Sequence, residues 1–181
     1  GDAMVANGAA VLVQGTDVIR TFPAVLTAVG QTAVFSFNLR MASAAESCEL
    51  WLVPATGSFY SSNTNYGSGL GLNFGRVAAP ANMASLEISE GSGISSGNIN
   101  SNNNPPVIGY TTRGEPHAIR IEMLRGAANI SYSLYIDDNL LRSSTFVLND
   151  SRGANAMEFA GTGDPAPYGA ATGTVIDDIL A

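Results

Sequence analysis

One segment of the chain mixes aromatic rings with side-chain amides and hydroxyls. Aromatic faces stack on the C–H side of a sugar ring, and planar amides hydrogen-bond to its hydroxyls. The segment 58–67 therefore predicts a carbohydrate contact. Its candidate contact residues are Phe59, Tyr60, Asn63, Asn65 and Tyr66, with Tyr168 as a further candidate from a polar stretch near the C-terminus. The alternative is a surface loop whose rings pack back onto the protein.

Oxygen-bearing side chains suited to a hard cation occur in two other places. Calcium prefers carboxylate and amide oxygens, so the sequence permits calcium as a cofactor although EF-hand spacing is absent. The candidate ligands are Asp137, Asp138, Asp177 and Asp178. Turn formation is the alternative role of the first pair. Successive strand residues face opposite ways, so at most one of the second pair points inward.

Nucleophilic catalysis and zinc chemistry have little support in this composition. The chain has one histidine, His117, one cysteine, Cys48, and no lysine. A Ser-His-Asp or Cys-His site would need His117, which follows Pro116 at the start of a predicted strand and is interpreted as structural. A zinc site, a lysine Schiff base and an intramolecular disulfide are excluded. Cys48 is expected to be a buried, inert thiol, and no catalytic residue is assigned.

Paired carboxylates leave one enzymatic alternative open. Glycoside hydrolysis needs two carboxyl groups at roughly 5 to 10 Å. Glu87, Glu122 and Glu158 could meet across strands, although an exposed strand face explains each of them. Glu87 and Glu90 are three residues apart, which places them on opposite faces of a regular strand. A hydrolase or lyase is therefore an alternative to a binding function.

The charge balance excludes two classes of partner. Fifteen acidic residues against eight basic ones, all arginine, give a net charge of −7. Without a basic run, nucleic acid and anionic membranes are poor partners. The sequence has no run of ~18 apolar residues, so no membrane-spanning helix is predicted.

The length suits one domain. We expect residues 1–16 to be an N-terminal extension, partly of cloning origin, residues 17–181 to form the domain, and a signal peptide or flanking domains of a larger protein to lie outside this sequence.

Period-two alternation of apolar and polar residues dominates the chain. It is clearest over Ala33–Met41, and Leu70, Leu72 and Phe74 likewise alternate with Asn73. A hairpin is predicted from Ile130–Ile136 and Leu140–Leu148, joined by the turn Asp137-Asp138-Asn139. About ten short strands separated by Gly, Asn and Pro clusters predict an all-β fold of two packed antiparallel sheets. The long polar connections 58–69 and 91–106 are where binding residues usually lie.

The order of four motifs resembles a known superfamily. The motifs are Glu115–Met123, Tyr132–Leu141, Met157–Gly163 and Thr174–Leu180. Together they are similar to concanavalin A-like lectins and glucanases of the laminin-G-like, bacterial secreted type, except that Asp138-Asn139 stands where Asp-Gly is usual. The resemblance implies a jelly-roll sandwich of two curved sheets. It also implies an extracellular protein that binds glycans or proteins, with calcium held by some relatives and hydrolase or lyase activity in others.

These observations combine into one expectation. We expect a concanavalin A-like β-sandwich of a secreted or surface-attached bacterial protein, in an extracellular, cell-surface or periplasmic location. It would be a non-catalytic carbohydrate-binding or adhesion module whose partner is a polysaccharide or glycoconjugate. The alternatives are a polysaccharide-active enzyme and a domain with only a structural or protein-binding role.

Overall fold

A computed structural model of the chain shows an all-β protein, as predicted. It describes residues 4–6, 9–12, 17–41, 48–53, 70–75, 78–90, 106–146, 154–161 and 174–180. The strands in these ranges are β1 Met4–Ala6, β2 Ala9–Leu12, β3 Asp17–Val25, β4 Thr32–Arg40, β5 Cys48–Val53, β6 Leu70–Phe74, β7 Met83–Glu90, β8 Val107–Thr112, β9 His117–Arg125, β10 Ile130–Ile136, β11 Asn139–Phe146, β12 Ala154–Gly161 and β13 Thr174–Leu180. Among these residues there is no helix that is long and apolar enough to cross a membrane.

The strands form two antiparallel sheets. The seven-stranded sheet has the order β1-β2-β13-β4-β9-β10-β11, and the six-stranded sheet has the order β3-β12-β5-β6-β7-β8. β1 and β2 come from the predicted N-terminal extension, and β2 pairs with β13 in the seven-stranded sheet. The predicted two-sheet antiparallel sandwich is therefore confirmed.

The apolar residues of the alternating pattern fill the space between the sheets. In β4 the buried positions are Phe35, Phe37 and Leu39, and the intervening residues face outward. Phe37 meets Phe159 of the other sheet edge to face, with ring centroids 5.0 Å apart. Burying one such ring contributes roughly 1.5–3 kcal/mol, so the shared core holds the two sheets together. Cys48 lies buried in this core and forms no disulfide.

The β10–β11 hairpin is present as predicted, but its turn is the two residues Asp137-Asp138 and not the predicted three. Asp137 and Asp138 have φ values of 50° and 61°, which aspartate tolerates better than most residues. This pair of left-handed residues is typical of a two-residue hairpin turn. Asn139 begins β11 and its side-chain amide donates to the Asp137 carbonyl at 3.0 Å. The turn fixes the register in which Ile130, Tyr132 and Leu134 face the core.

A polar cluster joins the two sheets at one side of the core. Arg142 on β11 donates from Nε to Glu90 Oε1 at 3.0 Å and from Nη2 to Glu90 Oε2 at 3.1 Å. The Tyr132 hydroxyl donates to the same carboxylate and accepts from Arg142 Nε at 3.0 Å. Burial raises the pKa of Glu90, but the bonds from Arg142, Tyr132 and Ser144 outweigh it and leave that pKa below its ordinary value. We call Glu90, Tyr132 and Arg142 the inter-sheet clamp.

Candidate functional site

Polar residues of β6 and β7 occupy the outer face of the six-stranded sheet. Leu72 and Phe74 point into the core, so Asn73 between them faces outward. In β7, Ser85 and Glu87 alternate in the same way with core residues. Asn73 lies directly opposite Glu87 in the strand register. Adjacent strands are about 4.8 Å apart, so the two residues are immediate neighbours on this face. We call Asn73, Ser85 and Glu87 the polar floor.

The polar floor is buried even though it faces away from the core. The exposed fraction is 0% for Asn73 and Ser85 and 1% for Glu87. Ser85 and Glu87 take part in interactions of their own. Both Oδ1 and Nδ2 of Asn73 have no hydrogen-bond partner. A buried polar group in that state costs about 1–3 kcal/mol, so Asn73 weakens the fold unless something else satisfies its one acceptor and two donor positions.

The same face opens to solvent on the edge strand β8. Tyr110 lies opposite Ser85 and Val107 lies opposite Glu87, with a register shift between the two pairs. Their exposed fractions are 47% and 40%. An exposed tyrosine ring thus stands one strand away from the buried polar floor. Tyr110 presents an accessible aromatic face of the kind that stacks on a sugar ring, next to a polar floor that is closed to solvent.

Contacts with the other sheet position β8. Gly109 lies against Leu141 of β11 so closely that a Cβ atom on Gly109 would be 2.9 Å from Leu141 Cδ1. At the end of β8 the Thr112 N–H donates to His117 Nε2 at 3.0 Å. The other ring nitrogen, His117 Nδ1, donates to Asp137 Oδ2 at 2.7 Å. His117 therefore ties β8 to the β10–β11 turn, which is the structural role predicted for this histidine.

The aromatic and amide residues predicted from the sequence lie elsewhere. Phe59, Tyr60, Asn63, Asn65, Tyr66 and Tyr168 are all outside the described residues, and their role as ligand contacts stays a prediction. The sequence did not indicate Asn73, Ser85, Val107 or Tyr110 as site residues. The alternation around Asn73 and Glu87 was a signal that they share one face, but no signal placed Tyr110 beside Ser85.

The predicted calcium ligands are distributed over one sheet. Asp137 Oδ1 accepts the Ala118 N–H at 2.9 Å, and Oδ2 is bonded to His117. Burial raises the pKa of Asp137, but these bonds outweigh it and the pKa is lowered. Asp138 is 95% exposed and lies 3.6 Å from Arg120 Nη2. Within the described ranges no group of three His, Cys, Asp or Glu residues could hold a metal.

The second pair of candidate ligands is in β13. Asp177 pairs with Asn38, and Asn38 pairs with Ala118 across β4 and β9. The Asp137 N–H bonds the Ala118 carbonyl, so three strand spacings, about 14 Å, separate the backbones of Asp137 and Asp177. The structure places both candidate pairs, including Asp178, on the seven-stranded sheet but does not bring them to one point. Calcium binding by these residues stays a prediction.

The three candidate catalytic carboxylates are also separated. Glu122 lies on β9 of the seven-stranded sheet, where it pairs with Arg120 and accepts the Tyr135 hydroxyl at 3.3 Å. Glu87 and Glu158 belong to the six-stranded sheet, on β7 and β12. β5 and β6 lie between these strands, so the Glu87 and Glu158 backbones are about 14 Å apart. The described backbone does not bring these residues to one point, and the hydrolase or lyase alternative stays a prediction.

A depression lies on the outer face of the seven-stranded sheet. It has a volume of about 450 Å³ and is lined in part by Val34, Glu122, Leu124, Ser131, Ser133 and Ser143. Three of its serines bond to one another or to the backbone. Ser133 and Ser143 are 3.0 Å apart, and Ser131 donates to the Leu124 carbonyl at 3.4 Å. The polar floor with its unsatisfied Asn73 amide is therefore the stronger candidate site.

Comparison with known proteins identifies the fold. No family model matches the sequence, and no curated protein matches it. The potassium-bound form of the Emp46p carbohydrate recognition domain is 12% identical, with a TM-score of 0.59 over 98% of this chain and 82% of that one. Its metal-free form is 14% identical with the same TM-score and coverage.

A sialidase structure is also similar to the chain. It is 14% identical, with a TM-score of 0.51 over 95% of this chain but only 14% of the sialidase chain. Identities this low carry information about architecture and not about activity. The chain has the concanavalin A-like jelly-roll fold.

Proposed function

We propose that the protein is a non-catalytic carbohydrate-binding or adhesion module that binds glycans on the outer face of β6, β7 and β8. The observation that carries the proposal is the buried Asn73 amide without hydrogen-bond partners, one strand from Glu87, on the same sheet face that carries the exposed Tyr110 two strands away. The likeness to a protein described as a carbohydrate recognition domain supports it. The proposed setting is the surface or exterior of a bacterial cell, where polysaccharides are accessible.

In this proposal the two parts of the face have different tasks. Tyr110 stacks on the apolar face of a sugar ring, which contributes contact area with little loss of side-chain freedom. The Asn73 amide donates to one sugar hydroxyl and accepts from another, so its polar atoms become satisfied only when the glycan is bound. Tyr60 and Tyr66 add stacking, and Asn63 and Asn65 add hydrogen bonds.

A glycan array followed by calorimetry tests the proposed face. We expect the purified protein to bind at least one polysaccharide or glycoconjugate, and Tyr110→Ala to weaken that binding at least tenfold. Tyr135→Ala is the matched control, because Tyr135 is a tyrosine on the outer face of the other sheet, under Arg120. Equal losses in the two variants, or a loss only in Tyr135→Ala, would contradict the proposed location.

The same samples test the other parts of the proposal. Unchanged affinity in a Tyr60→Ala, Tyr66→Ala double variant would remove the segment 58–67 from the site. Released sugar in the supernatant would establish an enzyme. Binding measured with about 2 mM calcium and again with chelator tests the predicted calcium ligands, because that concentration fills weak extracellular sites. Loss of binding in chelator that Asp137→Asn or Asp177→Asn reproduces would support them.

A further inference from the structure

The strand β11 forms one edge of the described seven-stranded sheet. The N–H and C=O of one strand residue point to the same side of the strand, and those of the next residue point to the other side. The hydrogen bonds of β10 therefore show which residues of β11 direct their backbone groups to the open edge.

Two backbone bonds at the ends of β10 define its direction. The Gly126 N–H donates to the Asn129 carbonyl at 2.7 Å, and the Asp137 N–H donates to the Ala118 carbonyl at 2.9 Å. The odd-numbered residues of β10 consequently face β9, and its even-numbered residues face β11.

Ser143 and Thr145 face the open edge. Ser144 lies between them and is the register partner of Tyr132, so the backbone groups of Ser144 are directed at β10. Those of Ser143 and Thr145 point to the opposite side, and both side chains are exposed. Within the described part of the chain no strand lies beyond this edge. Two N–H and two C=O groups are therefore available for pairing with a further strand.

The open part of β11 lacks the features that keep edge strands apart. Native edge strands are blunted by proline, by charges or by bulges. Residues 142–146 contain no proline, and their register with β10 is regular. The one charge of β11 is Arg142, whose guanidinium is held by Glu90 in the inter-sheet clamp. On the edge strand β8, in contrast, His117 Nε2 accepts the Thr112 N–H, and the pairing with β7 has a register shift.

We propose that β11 is an interface with a second copy of this chain, in which the two β11 strands pair antiparallel about a two-fold axis at Ser144. Ser143 then lies opposite Thr145 of the partner subunit, and each such pair exchanges two N–H···O bonds. The axis therefore satisfies all the outward groups of Ser143 and Thr145 in both copies. Small hydroxyl side chains meet beside the axis, and Arg142 lies opposite Phe146 of the partner subunit, so like charges do not face each other.

This interface has two consequences. Five paired residues bury less than the roughly 1,600 Å² of a standard stable interface, so the dimer should be weak. A two-fold axis between antiparallel neighbours runs perpendicular to the sheet, so the two seven-stranded sheets become continuous and corresponding faces point the same way. Two glycan faces on one side of the dimer would bind one polysaccharide together. Only this last consequence rests on the proposed function.

Sedimentation velocity without any glycan tests the interface. Between about 5 µM and about 500 µM, where weak complexes form, we expect the average mass of wild type to rise from one chain towards two. Thr145→Pro removes an outward N–H and leaves the bonds to β10 intact, so it should weaken the dimer at least tenfold. Thr145→Val is the matched control, because it keeps the N–H and the size of the side chain, and it should dimerise like wild type.

A disulfide tests the register. The Cα atoms of residue 144 in the two copies would be about 4.5 Å apart, which a disulfide can span. The two copies of residue 140 would be separated by eight residues, about 27 Å. Mild oxidation should therefore cross-link the Ser144→Cys variant and not the Leu140→Cys variant, although Leu140 is the more exposed residue.

The contrary results are equally specific. A wild type that stays monomeric at every concentration would overturn the inference and leave an unrelated extended segment as the partner of this edge. Equal weakening by Thr145→Pro and Thr145→Val would show that backbone pairing does not hold the dimer. Equal cross-linking of the two cysteine variants would exclude the register. Each of these results overturns the inference and leaves the proposed function untouched, because no measurement involves a glycan.

A charged variant keeps the inference testable if Thr145→Pro does not fold, which its thermal unfolding curve would show. Ser143→Lys places a charge on the open edge and should also weaken the dimer at least tenfold. An unchanged dimer in Ser143→Lys would place the interface elsewhere on the protein and would overturn the inference.

Discussion

Asn73 is the residue on which the proposed site depends most. Its amide is fully buried and has no hydrogen-bond partner for either polar atom. Folding alone does not reward such a side chain, because water satisfies it in the unfolded chain. Residues that weaken the fold in this way are typical of binding sites, where the ligand supplies the missing partner.

Asn73→Leu should separate stability from binding. Leucine has a similar volume and no polar atoms, so removing the unsatisfied amide should raise the free energy of unfolding by about 1 kcal/mol. Glycan binding should fall below detection because the hydrogen bonds to the sugar are lost. Urea denaturation and calorimetry measure the two effects. A variant that is less stable than wild type would show that Asn73 has a structural partner.

At the scale of single residues, the sequence indicated which way some site residues face but not how they come together. Alternation around Asn73 and around Glu87 already placed each side chain away from the apolar face of its own strand. The sequence favoured the segment 58–67 instead, because its composition is that of a sugar-binding loop. A site on a sheet face is assembled across strands, and the pairing of Ser85 with Tyr110 depends on a register shift that residue types do not reveal.

At the scale of elements, β8 is the strand that presents the exposed part of the site. It is an edge strand of the six-stranded sheet, and Gly109 allows it to pack against Leu141 on β11. Thr112 at its end is bonded to His117. These contacts fix the position of β8, which carries Tyr110. Substitutions that alter the contacts should therefore change ligand binding by moving β8.

Gly109→Val should destabilise the protein. The added side chain would meet Leu141, and overpacking of this kind costs roughly 1–3 kcal/mol. Combining it with Leu141→Ala should recover part of the loss, since the shorter side chain leaves space for valine. Urea denaturation of the two single variants and the double variant gives the coupling energy. Strictly additive effects would show that the two residues do not share this contact.

The inter-sheet clamp should make the stability of the protein depend on pH in the acidic range. The pKa of Glu90 is lowered from 4.5, so its favourable contribution is present above that value and is lost as the pH falls through the lower, folded-state pKa. Wild type should therefore unfold at a higher temperature than Glu90→Gln at pH 7, and the difference should shrink below about pH 4. Calorimetric scans from pH 7 to pH 3 measure it. A difference that does not change with pH would mean that the carboxylate charge of Glu90 does not stabilise the fold.

Local elements such as a hairpin were easier to predict from the sequence than contacts between distant strands. The β10–β11 hairpin followed from two alternating strands around Asp137-Asp138-Asn139, because a tight turn is specified by its own residues. The clamp was not predicted. Glu90 and Arg142 are 52 residues apart, and they meet only because β7 and β11 lie on the same side of the two packed sheets.

For the whole molecule, the sandwich was predictable from alternation and turn residues, whereas the strand order was not. β12 and β13 return from the end of the chain to pair with β3 and β5 and with β2 and β4. Such long-range pairings depend on packing the complete set of strands. The Emp46p domain reaches a similar arrangement with 12% identity, so most of the particular side chains of this chain are not needed for the fold.

The two outer faces of the sandwich give the molecule two possible ligand surfaces. One carries the polar floor and Tyr110, and the other carries the depression beside Glu122 and Leu124. Backbone amide NMR shifts during titration with an oligosaccharide from the bound glycan distinguish the faces most directly. We predict that the largest shifts occur in β6, β7 and β8, around Asn73, Glu87 and Tyr110. Shifts concentrated in β9, β10 and β11 would contradict the proposed site.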